Sequence, residues 1–523
     1  MEHSQPKPLR NNKVGDDNPK MLDAVFNLLK SGGTDKVCML KIAEVNFAGD
    51  RYCHRKNFGN RGLEMLAAEG LVIEEDPRLQ EFADMFKENR RGKIDLETFQ
   101  RVFGEEEELI LKALTKSLVV ADFQEFKAKV EELYKRQLSN FSGDVHCKNV
   151  PEADRREPTP WGVKIWTVDG QTLGIGDCEA PFAIQSCGKP FLYGLALDLL
   201  GSDAVHELIG WEPSNFHQDD IALDSKNRPH NPFTNAGSII VCSLLQRVGL
   251  KDMSHSQEHD YIAQYLKDLS GGGVVRFNNS VFILERERGD QNRAIAYYLA
   301  SLGIIPTTTH HITRCTQLHF EMCSMDVTCN SLGMMGCTLA NSGMCPTTSK
   351  RVLKPDTVKS VLSVMESCGM YNYSGNFLFE VGLPAKAGAS GGILMVVPGV
   401  LGIATFSLRL DKMGNSARGL SFLKEFAEKF RYHPFDDVTS DLKRRYPNRR
   451  TPDMVCQPFC RILTAVSSGD SMALVKILRS GNEAMVRDIE GHTILHLAAS
   501  KGLMEAVVQI VTYSRGLVHA KDK

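Results

Sequence analysis

A serine and a lysine three residues apart are the first candidates for chemistry in this sequence. Ser186 and Lys189 lie in the run QSCGKP at residues 185–190. Residues three apart share one face of a helical turn, so the serine hydroxyl can lie beside the lysine amine. A desolvated lysine can act as the base that makes serine a nucleophile. The spacing predicts acyl transfer, although taken alone it is more typical of an N-capping serine and a surface lysine.

A second lysine motif strengthens this interpretation. Lys386-Ala387-Gly388 stands just before two predicted strands near the end of the same region. In serine β-lactamases and penicillin-binding proteins, S-x-x-K chemistry is accompanied by a K-[ST]-G element that lines the site. Ala387 occupies the hydroxyl position of that element, so the sequence retains the lysine and loses the side-chain hydrogen bond.

The elements around both motifs predict an α+β fold. Two β-hairpins are indicated by turn residues between apolar runs, at residues 162–168 with 171–175 and at residues 393–397 with 400–408. A mostly helical region from Ser186 to about Cys368 separates them, and a helix from Ser421 to Phe430 follows. We therefore expect a serine β-lactamase-like antiparallel sheet covered by helices.

The N-terminal region is predicted to contain helices only. Apolar residues recur at three- and four-residue spacings in Met21–Leu29, Leu63–Leu71 and Phe123–Leu138. Residues 87–98 resemble a calcium-binding loop, with a glycine at the turn position. Lys87 and Arg91 occupy ligand positions of that loop, where a cation cannot hold a cation, and Thr98 stands in place of the glutamate at position twelve. The pattern indicates an all-α, EF-hand-like bundle without calcium ligands.

The C-terminal region carries a repeat signal. The run Gly491–Ala499 matches T-x-L-H-x-A, and a second amphipathic helix is expected after Gly502. Ile462–Leu478 looks like a degenerate copy, and the chain ends where a further repeat would begin. These features predict truncated ankyrin repeats. The expected organisation is a disordered lead-in at 1–18, the EF-hand-like domain at 19–139, a linker at 140–160, a catalytic domain at 161–436, a basic linker at 437–453 and ankyrin repeats at 454–523.

Length and composition limit the class of protein. A chain of 523 residues is too long for one core. A net charge of −2 gives no reason to expect nucleic acid or an anionic membrane as a partner. The apolar runs are too short to span a bilayer, which needs about 20 residues. The 14 cysteines form no pair of C-x-x-C motifs, so we expect reduced core thiols, no metal and no cofactor.

At this point the chain resembles the kidney- and liver-type glutaminases. Matching blocks extend over most of the predicted catalytic domain: TVDGQ, QSCGKP, KNRPHNPFTNAG, ERERGDQN, AIAYYL, SCGMY, GLPAKAG, GGILMVVP and LDKMGNS. The flanking helical and ankyrin modules also fit the layout of that family. The resemblance implies that Ser186 is the nucleophile, Lys189 its base, and Tyr371 a relay of the proton to departing ammonia.

The resemblance also implies which residues hold the substrate, L-glutamine. Asn235, Glu285 and Asn292 match the family's substrate-binding positions, and an anionic Glu285 suits the α-ammonium group. The backbone N–H groups of Ser186 and Ala389 match the oxyanion hole, where only the main chain is needed.

Two positions depart from the family pattern. Asn149 replaces a tyrosine upstream of the first hairpin, and His319 replaces a tyrosine on the substrate side. Three hypotheses stay open. The first is a glutaminase, with activity reduced by these changes. The second is a degenerate glutaminase paralogue that acts as a binding or assembly protein. The third is penicillin-recognising or peptidase chemistry, which the ankyrin-like module disfavours.

Regulation and compartment rest on the resemblance alone. It implies a homotetramer, inorganic phosphate as an activator, and a mitochondrial location. The segment Phe216–Leu223 falls in the family's interface and activation region and is polar here. The N-terminal residues carry no recognisable transit peptide or signal core, so the cytoplasm is the alternative location.

Overall fold

The computed structural model describes residues 36–38, 66–80, 84, 93–95, 109, 112–113, 118–143, 159–214, 220–436, 493–500 and 504–513. The chain forms two compact units. One contains residues 69–77 and 119–450, and the other contains residues 1–68, 78–118 and 451–523. All of the candidate site residues that the structure describes belong to the first unit, which is called the catalytic unit below.

The catalytic unit is built on a five-stranded antiparallel sheet. In chain order, the described strands are β1 (Lys36–Cys38), β2 (Lys93–Asp95), β3 (Gly162–Thr167), β4 (Thr172–Gly176), β5 (Phe182–Ala183), β6 (Arg276–Phe277), β7 (Met325–Val327), β8 (Ala385–Ala387), β9 (Gly392–Val397) and β10 (Leu401–Phe406). The central sheet has the order β4-β3-β10-β9-β8, and every pairing is antiparallel. Both predicted hairpins are confirmed, as β3–β4 and β9–β10.

Helices cover both faces of this sheet, as the α+β prediction requires. The described helices are α1 (Phe123–Arg136), α2 (Lys189–Leu200), α3 (Ser202–Leu208), α4 (Asn235–Leu244), α5 (His255–Leu269), α6 (Asn279–Glu287), α7 (Asp290–Ser301), α8 (Thr309–Cys323), α9 (Cys329–Ala340), α10 (Pro355–Cys368), α11 (Ser374–Glu380), α12 (Ala417–Phe430), α13 (Ile494–Ser500) and α14 (Met504–Tyr513). Strands β9 and β10 are buried at every residue, and their sequences are mostly apolar because both faces of each strand are covered.

The close approach of α9 to the sheet depends on a glycine in β10. A Cβ atom at Gly402 would lie 2.2 Å from the backbone nitrogen of Cys337 on α9. No side chain fits at that distance, so the helix backbone rests directly on the strand. The opposite face of the sheet is covered by α12.

Helix α1 belongs to the catalytic unit, whereas the sequence predicted that it belongs to the N-terminal bundle. Its apolar residues recur at helical spacing, and Phe126 packs 5.0 Å from Phe430 of α12 between ring centroids. Asp122 caps its first turn by accepting a hydrogen bond from the backbone nitrogen of Glu125 at 3.0 Å. Helix α1 therefore extends the layer of helices that α12 forms.

The prediction that residues 19–139 contain helices only is wrong. Strands β1 and β2 pair antiparallel, with Val37 opposite Ile94. Each strand has only three residues, too short for a periodic pattern to appear in the sequence. Ile94 lies within the calcium-like loop, but Lys87, Arg91 and Thr98 fall outside the described residues, and the EF-hand-like assignment stays a prediction.

The second helix expected after Gly502 is present as α14. In the turn before α13, the backbone nitrogen and hydroxyl of Thr493 both lie 3.0 Å from His496 Nδ1. Ala498 and Ile510 are buried, one on each helix. The proposed degenerate copy at residues 462–478 lies outside the described residues. Among the helices that the structure describes, none is both long and apolar enough to cross a membrane.

Candidate active site

The turn that carries Ser186 has an unusual backbone. Strand β5 leads into a 3-10 turn, Gln185–Gly188, and α2 follows directly at Lys189. Gln185 has a φ of 47°, in the left-handed region that non-glycine residues rarely adopt. Its side chain is buried and donates a hydrogen bond from Nε2 to Glu285 Oε1 at 2.8 Å. This contact ties the residue before Ser186 to α6.

Lys189 is held by two oxygen acceptors. Its Nζ donates to the carbonyl oxygen of Phe233 at 3.0 Å and to Asn235 Oδ1 at 2.6 Å. A neutral amine has two hydrogens and one lone pair. If both hydrogens are directed to these acceptors, the lone pair is left to accept a proton from another group. The geometry therefore suits Lys189 as a base for a neighbouring hydroxyl.

Asn235 connects Lys189 to a second predicted residue. It is the first residue of α4, and the hydroxyl of Thr234 caps that helix by accepting from the nitrogen of Gly237 at 3.0 Å. Asn235 Nδ2 donates to Asn292 Oδ1 on α7 at 2.9 Å. The structure thus joins Lys189, Asn235 and Asn292 in one hydrogen-bonded chain, although they are far apart in the sequence.

Glu285 and His319 are both buried in the same unit. Glu285 lies on α6, and its side chain accepts the bond from Gln185. His319 lies on α8, with Nδ1 3.0 Å from the hydroxyl of Ser238. Burial, together with the charge of Lys189, lowers the pKa of His319 to about 3. The imidazole is therefore neutral at physiological pH.

Lys386 is a second buried lysine, to which the sequence assigned no individual role. It lies in the middle of β8, and its Nζ donates to the carbonyl oxygen of Ala387 at 2.7 Å. The same Nζ lies 4.5 Å from the centroid of the Tyr371 ring. Burial, with a smaller contribution from Lys189, lowers the pKa of Lys386 to about 7. The available signal was the Lys386-Ala387-Gly388 motif, which resembles a K-[ST]-G element.

Tyr371 and Ala389 lie in short connecting segments. Tyr371 has a φ of 53°, and its carbonyl oxygen accepts a hydrogen bond from the Ser374 hydroxyl at 2.7 Å. A cavity of about 220 Å³ is lined by Tyr371 and Lys386 together with Phe233. Ala389 belongs to the turn between β8 and β9.

Cys187 joins β8 and the following turn to the Ser186 turn. Its Sγ donates to the carbonyl oxygens of Lys386 at 3.3 Å and Gly392 at 3.5 Å. A Cβ atom at Gly388 would meet that Sγ at 3.0 Å. Burial raises the pKa of Cys187 to about 12, so the thiol stays protonated and serves packing. The residue after Ser186 therefore anchors the segment that carries Ala389.

All eight predicted site residues lie in the described part of the chain, and each is buried or partly buried. Asn149, the other departure from the family pattern, falls outside the described residues, as do positions 216–219 of the polar segment Phe216–Leu223. Within the described residues, no group of three or more His, Cys, Asp or Glu side chains could hold a metal ion.

Comparisons with known proteins identify the family. A family model described as Glutaminase matches residues 144–435. The chain is 36% identical to the Glutaminase liver isoform, mitochondrial, of Mus musculus over 463 residues, which cover 88% of this chain and 76% of that protein. It is 37% identical to the Glutaminase of Trichormus variabilis over 310 residues, which cover 59% of this chain and 90% of that protein.

Solved structures give the same result. Probable glutaminase ybaS matches with a TM-score of 0.54 and 32% identity, covering 59% of this chain and 98% of that chain. Mglu in its glutamate form also matches with a TM-score of 0.54 and 32% identity, covering 59% of this chain and 69% of that chain. The fold is that of a β-lactamase-like hydrolase. More narrowly, the chain belongs to the glutaminase family, the glutamine amidohydrolases.

Proposed function

We propose that this protein hydrolyses L-glutamine to L-glutamate and ammonia through a γ-glutamyl ester on Ser186. The observation that carries the mechanism is the position of Lys189 Nζ, which donates to the Phe233 carbonyl and to Asn235 Oδ1. With its hydrogens directed to those oxygens, the amine presents its lone pair as a base. No cofactor or metal is needed for this chemistry.

In the first half of the reaction, Lys189 accepts the proton of the Ser186 hydroxyl as the oxygen attacks the γ-amide carbon. The oxyanion that forms accepts hydrogen bonds from the backbone N–H groups of Ser186 and Ala389. The carbon–nitrogen bond then breaks as the nitrogen receives the proton through Tyr371. Ammonia leaves, and the γ-glutamyl group stays on Ser186.

In the second half, water attacks the ester carbon and gives up a proton to Lys189. The ester bond breaks, the Ser186 oxygen takes that proton back, and glutamate leaves. The groups that hold the substrate are Glu285 for the α-ammonium, with Asn235, Asn292 and His319 for its oxygens.

Lys386 supports the relay in this proposal. Its Nζ lies against the Tyr371 ring, and its carbonyl oxygen is tied to Cys187, beside Ser186. Because burial lowers the pKa of Lys386 to about 7, the site does not hold two full lysine charges above neutral pH. A neutral Lys386 leaves Lys189 as the principal cation when it carries the transferred proton.

The alternative function is that of a degenerate paralogue that binds a ligand or partner without turnover. Three departures from the family pattern favour it. Asn149 and His319 each replace a tyrosine hydroxyl, and Ala387 replaces a hydroxyl residue. We propose a glutaminase of reduced activity, because Ser186, Lys189 and Tyr371 are all present and Lys189 Nζ is held by the Phe233 carbonyl and Asn235 Oδ1.

The experiment is ammonia release from glutamine by the purified full chain, with mass spectrometry of acid-quenched protein for the ester. The Ser186→Ala variant is the test and Ser243→Ala, on α4 away from the mechanism, is the control. We expect turnover and a γ-glutamyl adduct in the wild type and in Ser243→Ala, and neither in Ser186→Ala. If the wild-type protein binds glutamate but shows neither turnover nor the γ-glutamyl adduct, it is the degenerate paralogue.

Assembly, activation and location are proposed from the resemblance to the family. We propose a homotetramer activated by inorganic phosphate. We also propose a mitochondrial location, which the name of the mouse relative states for that protein. The flanking regions are proposed to be an EF-hand-like bundle without calcium ligands and ankyrin repeats. Analytical ultracentrifugation with and without phosphate tests the first two proposals. Imaging of the tagged full chain separates mitochondria from cytoplasm.

A further inference from the structure

A buried serine–histidine pair links two helices beside Lys189. Ser238 lies on α4, one turn after Asn235, and residues three apart share a helix face. Its Oγ is 3.0 Å from Nδ1 of His319 on α8. Ser238 is 2% exposed and His319 is 3% exposed, so this bond has no competition from bulk solvent. The two residues are 81 positions apart in the sequence.

The direction of this hydrogen bond follows from the number of hydrogens available. A buried hydroxyl has one hydrogen and has to donate it, because an unmade bond in the interior is costly. In the described part of the chain, His319 Nδ1 is the one acceptor found for the Ser238 hydroxyl. Nδ1 therefore accepts. In a neutral imidazole the other nitrogen then carries the hydrogen.

The state of the ring supports this assignment. Burial and the nearby charge of Lys189 lower the pKa of His319 to about 3, so the ring holds one hydrogen and not two. A ring with one hydrogen has one donor nitrogen and one acceptor nitrogen. The hydrogen bond made at one nitrogen therefore determines whether the other nitrogen donates or accepts. Ser238 thus determines whether His319 offers the site a donor or an acceptor.

We propose that Ser238 is a positioning residue for substrate binding, which fixes His319 as the tautomer with hydrogen on Nε2 so that it donates to an oxygen of the amino-acid substrate. The proposal deepens the proposed glutaminase function and rests on it. A tyrosine at position 319 would donate from its own hydroxyl. A histidine can replace that donor only when Nδ1 is occupied by another group.

The same two helices supply a matched control. The hydroxyl oxygen of Ser243 on α4 lies 2.8 Å from Nε2 of His311 on α8. Ser243 is also buried, and it lies eight residues beyond Asn235, more than two helical turns away. Removing the Ser243 hydroxyl breaks a partly buried serine–histidine bond of the same helix pair without touching the site.

The test is a double-mutant cycle on the full chain with Ser238→Ala, His319→Gln and the double variant, with Ser243→Ala as control. One neutral hydrogen bond corresponds to a roughly 3- to 10-fold change, so we expect Ser238→Ala to raise KM for glutamine by about that factor. We expect kcat within about twofold, and no further rise in KM when Ser238→Ala is added to His319→Gln. Ser243→Ala should keep the wild-type KM.

Two results would overturn the inference. In the first, Ser238→Ala has the same KM as Ser243→Ala. In the second, it weakens binding equally with and without His319, so that it does not act through the ring. If the wild type shows no turnover, the proposed function fails separately, and calorimetric titration of the same variants with glutamate decides the role of Ser238. Nitrogen-15 histidine spectra should also show hydrogen on Nε2 of His319 in the wild type, and a mixture of tautomers in Ser238→Ala.

Discussion

Gln185 donates a hydrogen bond to Glu285 over 2.8 Å, and this contact links the strained residue before Ser186 to the carboxylate proposed to hold the substrate. Gln185 has a φ of 47°, and such left-handed backbone conformations typically cost about 1–3 kcal/mol each. The surrounding structure has to hold the residue in place. Glu285 therefore supports the shape of the Ser186 turn, in addition to its proposed role of binding the positive charge of the substrate.

Glu285→Gln separates these two roles. The amide oxygen can still accept from Gln185, but the negative charge is lost. A hydrogen bond to a charged group contributes about 1.5–3 kcal/mol, so KM for glutamine should rise by roughly 10- to 100-fold. Glu287→Gln, an exposed position on the same helix, is the control and should leave KM unchanged. An unaltered KM in Glu285→Gln would assign the α-ammonium to another residue.

Asn235→Asp should impair the base. Asn235 Oδ1 lies 2.6 Å from Lys189 Nζ, and an anion at that distance stabilises the ammonium form. The pKa of Lys189 would therefore rise, and the lysine would lose its proton only at higher pH. The rising limb of kcat/KM against pH should move upward, and kcat at pH 7 should fall by at least about tenfold. A pH profile identical to the wild type would mean that Lys189 is not the base.

Lys386→Met should stabilise the protein in a pH-dependent way. Burial lowers the pKa of Lys386 to about 7, while an unfolded lysine keeps its proton up to roughly pH 10.4. Between these values the unfolded chain binds more protons, so wild-type stability gains from this lysine as pH rises. Methionine does not titrate, so the Lys386→Met variant lacks this pH dependence of stability. The difference in Tm, Lys386→Met minus wild type, should be largest at pH 6 and smaller at pH 9.

The control for this experiment is Lys412→Met, an exposed lysine of the same unit. Its effect on Tm should be the same at both values of pH. If the difference for Lys386→Met is also constant between pH 6 and 9, then Lys386 is charged in the folded protein, and its proposed neutrality beside Lys189 is wrong.

His319 should contribute nothing to the pH dependence of activity. Its pKa is lowered to about 3 by burial and by Lys189, so the ring is neutral throughout the range in which enzymes of this kind are assayed. His319→Gln should raise KM while the apparent pKa values of the kcat/KM profile stay in place. Loss of a limb near pH 6.5, the usual pKa of histidine, would show that the ring titrates during turnover.

The sequence predicted those elements whose signal comes from neighbouring residues, such as the two hairpins. Turn residues such as Asp169-Gly170 and Pro398-Gly399 defined both hairpins, because glycine permits the φ that such turns require. The three-residue spacing placed Ser186 and Lys189 in one turn. The two short strands β1 and β2 gave no periodic signal, and the grouping of α1 with α12 depends on a contact between Phe126 and Phe430, far apart in the chain.

The sequence named candidate site residues but not the contacts between them. The family blocks named Asn235 and Asn292, but only the fold shows that Lys189 reaches both through hydrogen bonds. The lowered pKa of Lys386 comes from burial, which a lysine in a sequence does not reveal. The pairing of Ser238 with His319 depends on the packing of α4 against α8 and was likewise invisible.

The most direct test of the central claim is the rate of ammonia release from L-glutamine by the full chain, compared with that of Ser186→Ala. Circular dichroism would establish that the variant is folded. The proposed mechanism predicts measurable turnover in the wild type and none above background in Ser186→Ala, because no other group takes over the role of nucleophile. Ammonia release at the wild-type rate by folded Ser186→Ala would contradict it.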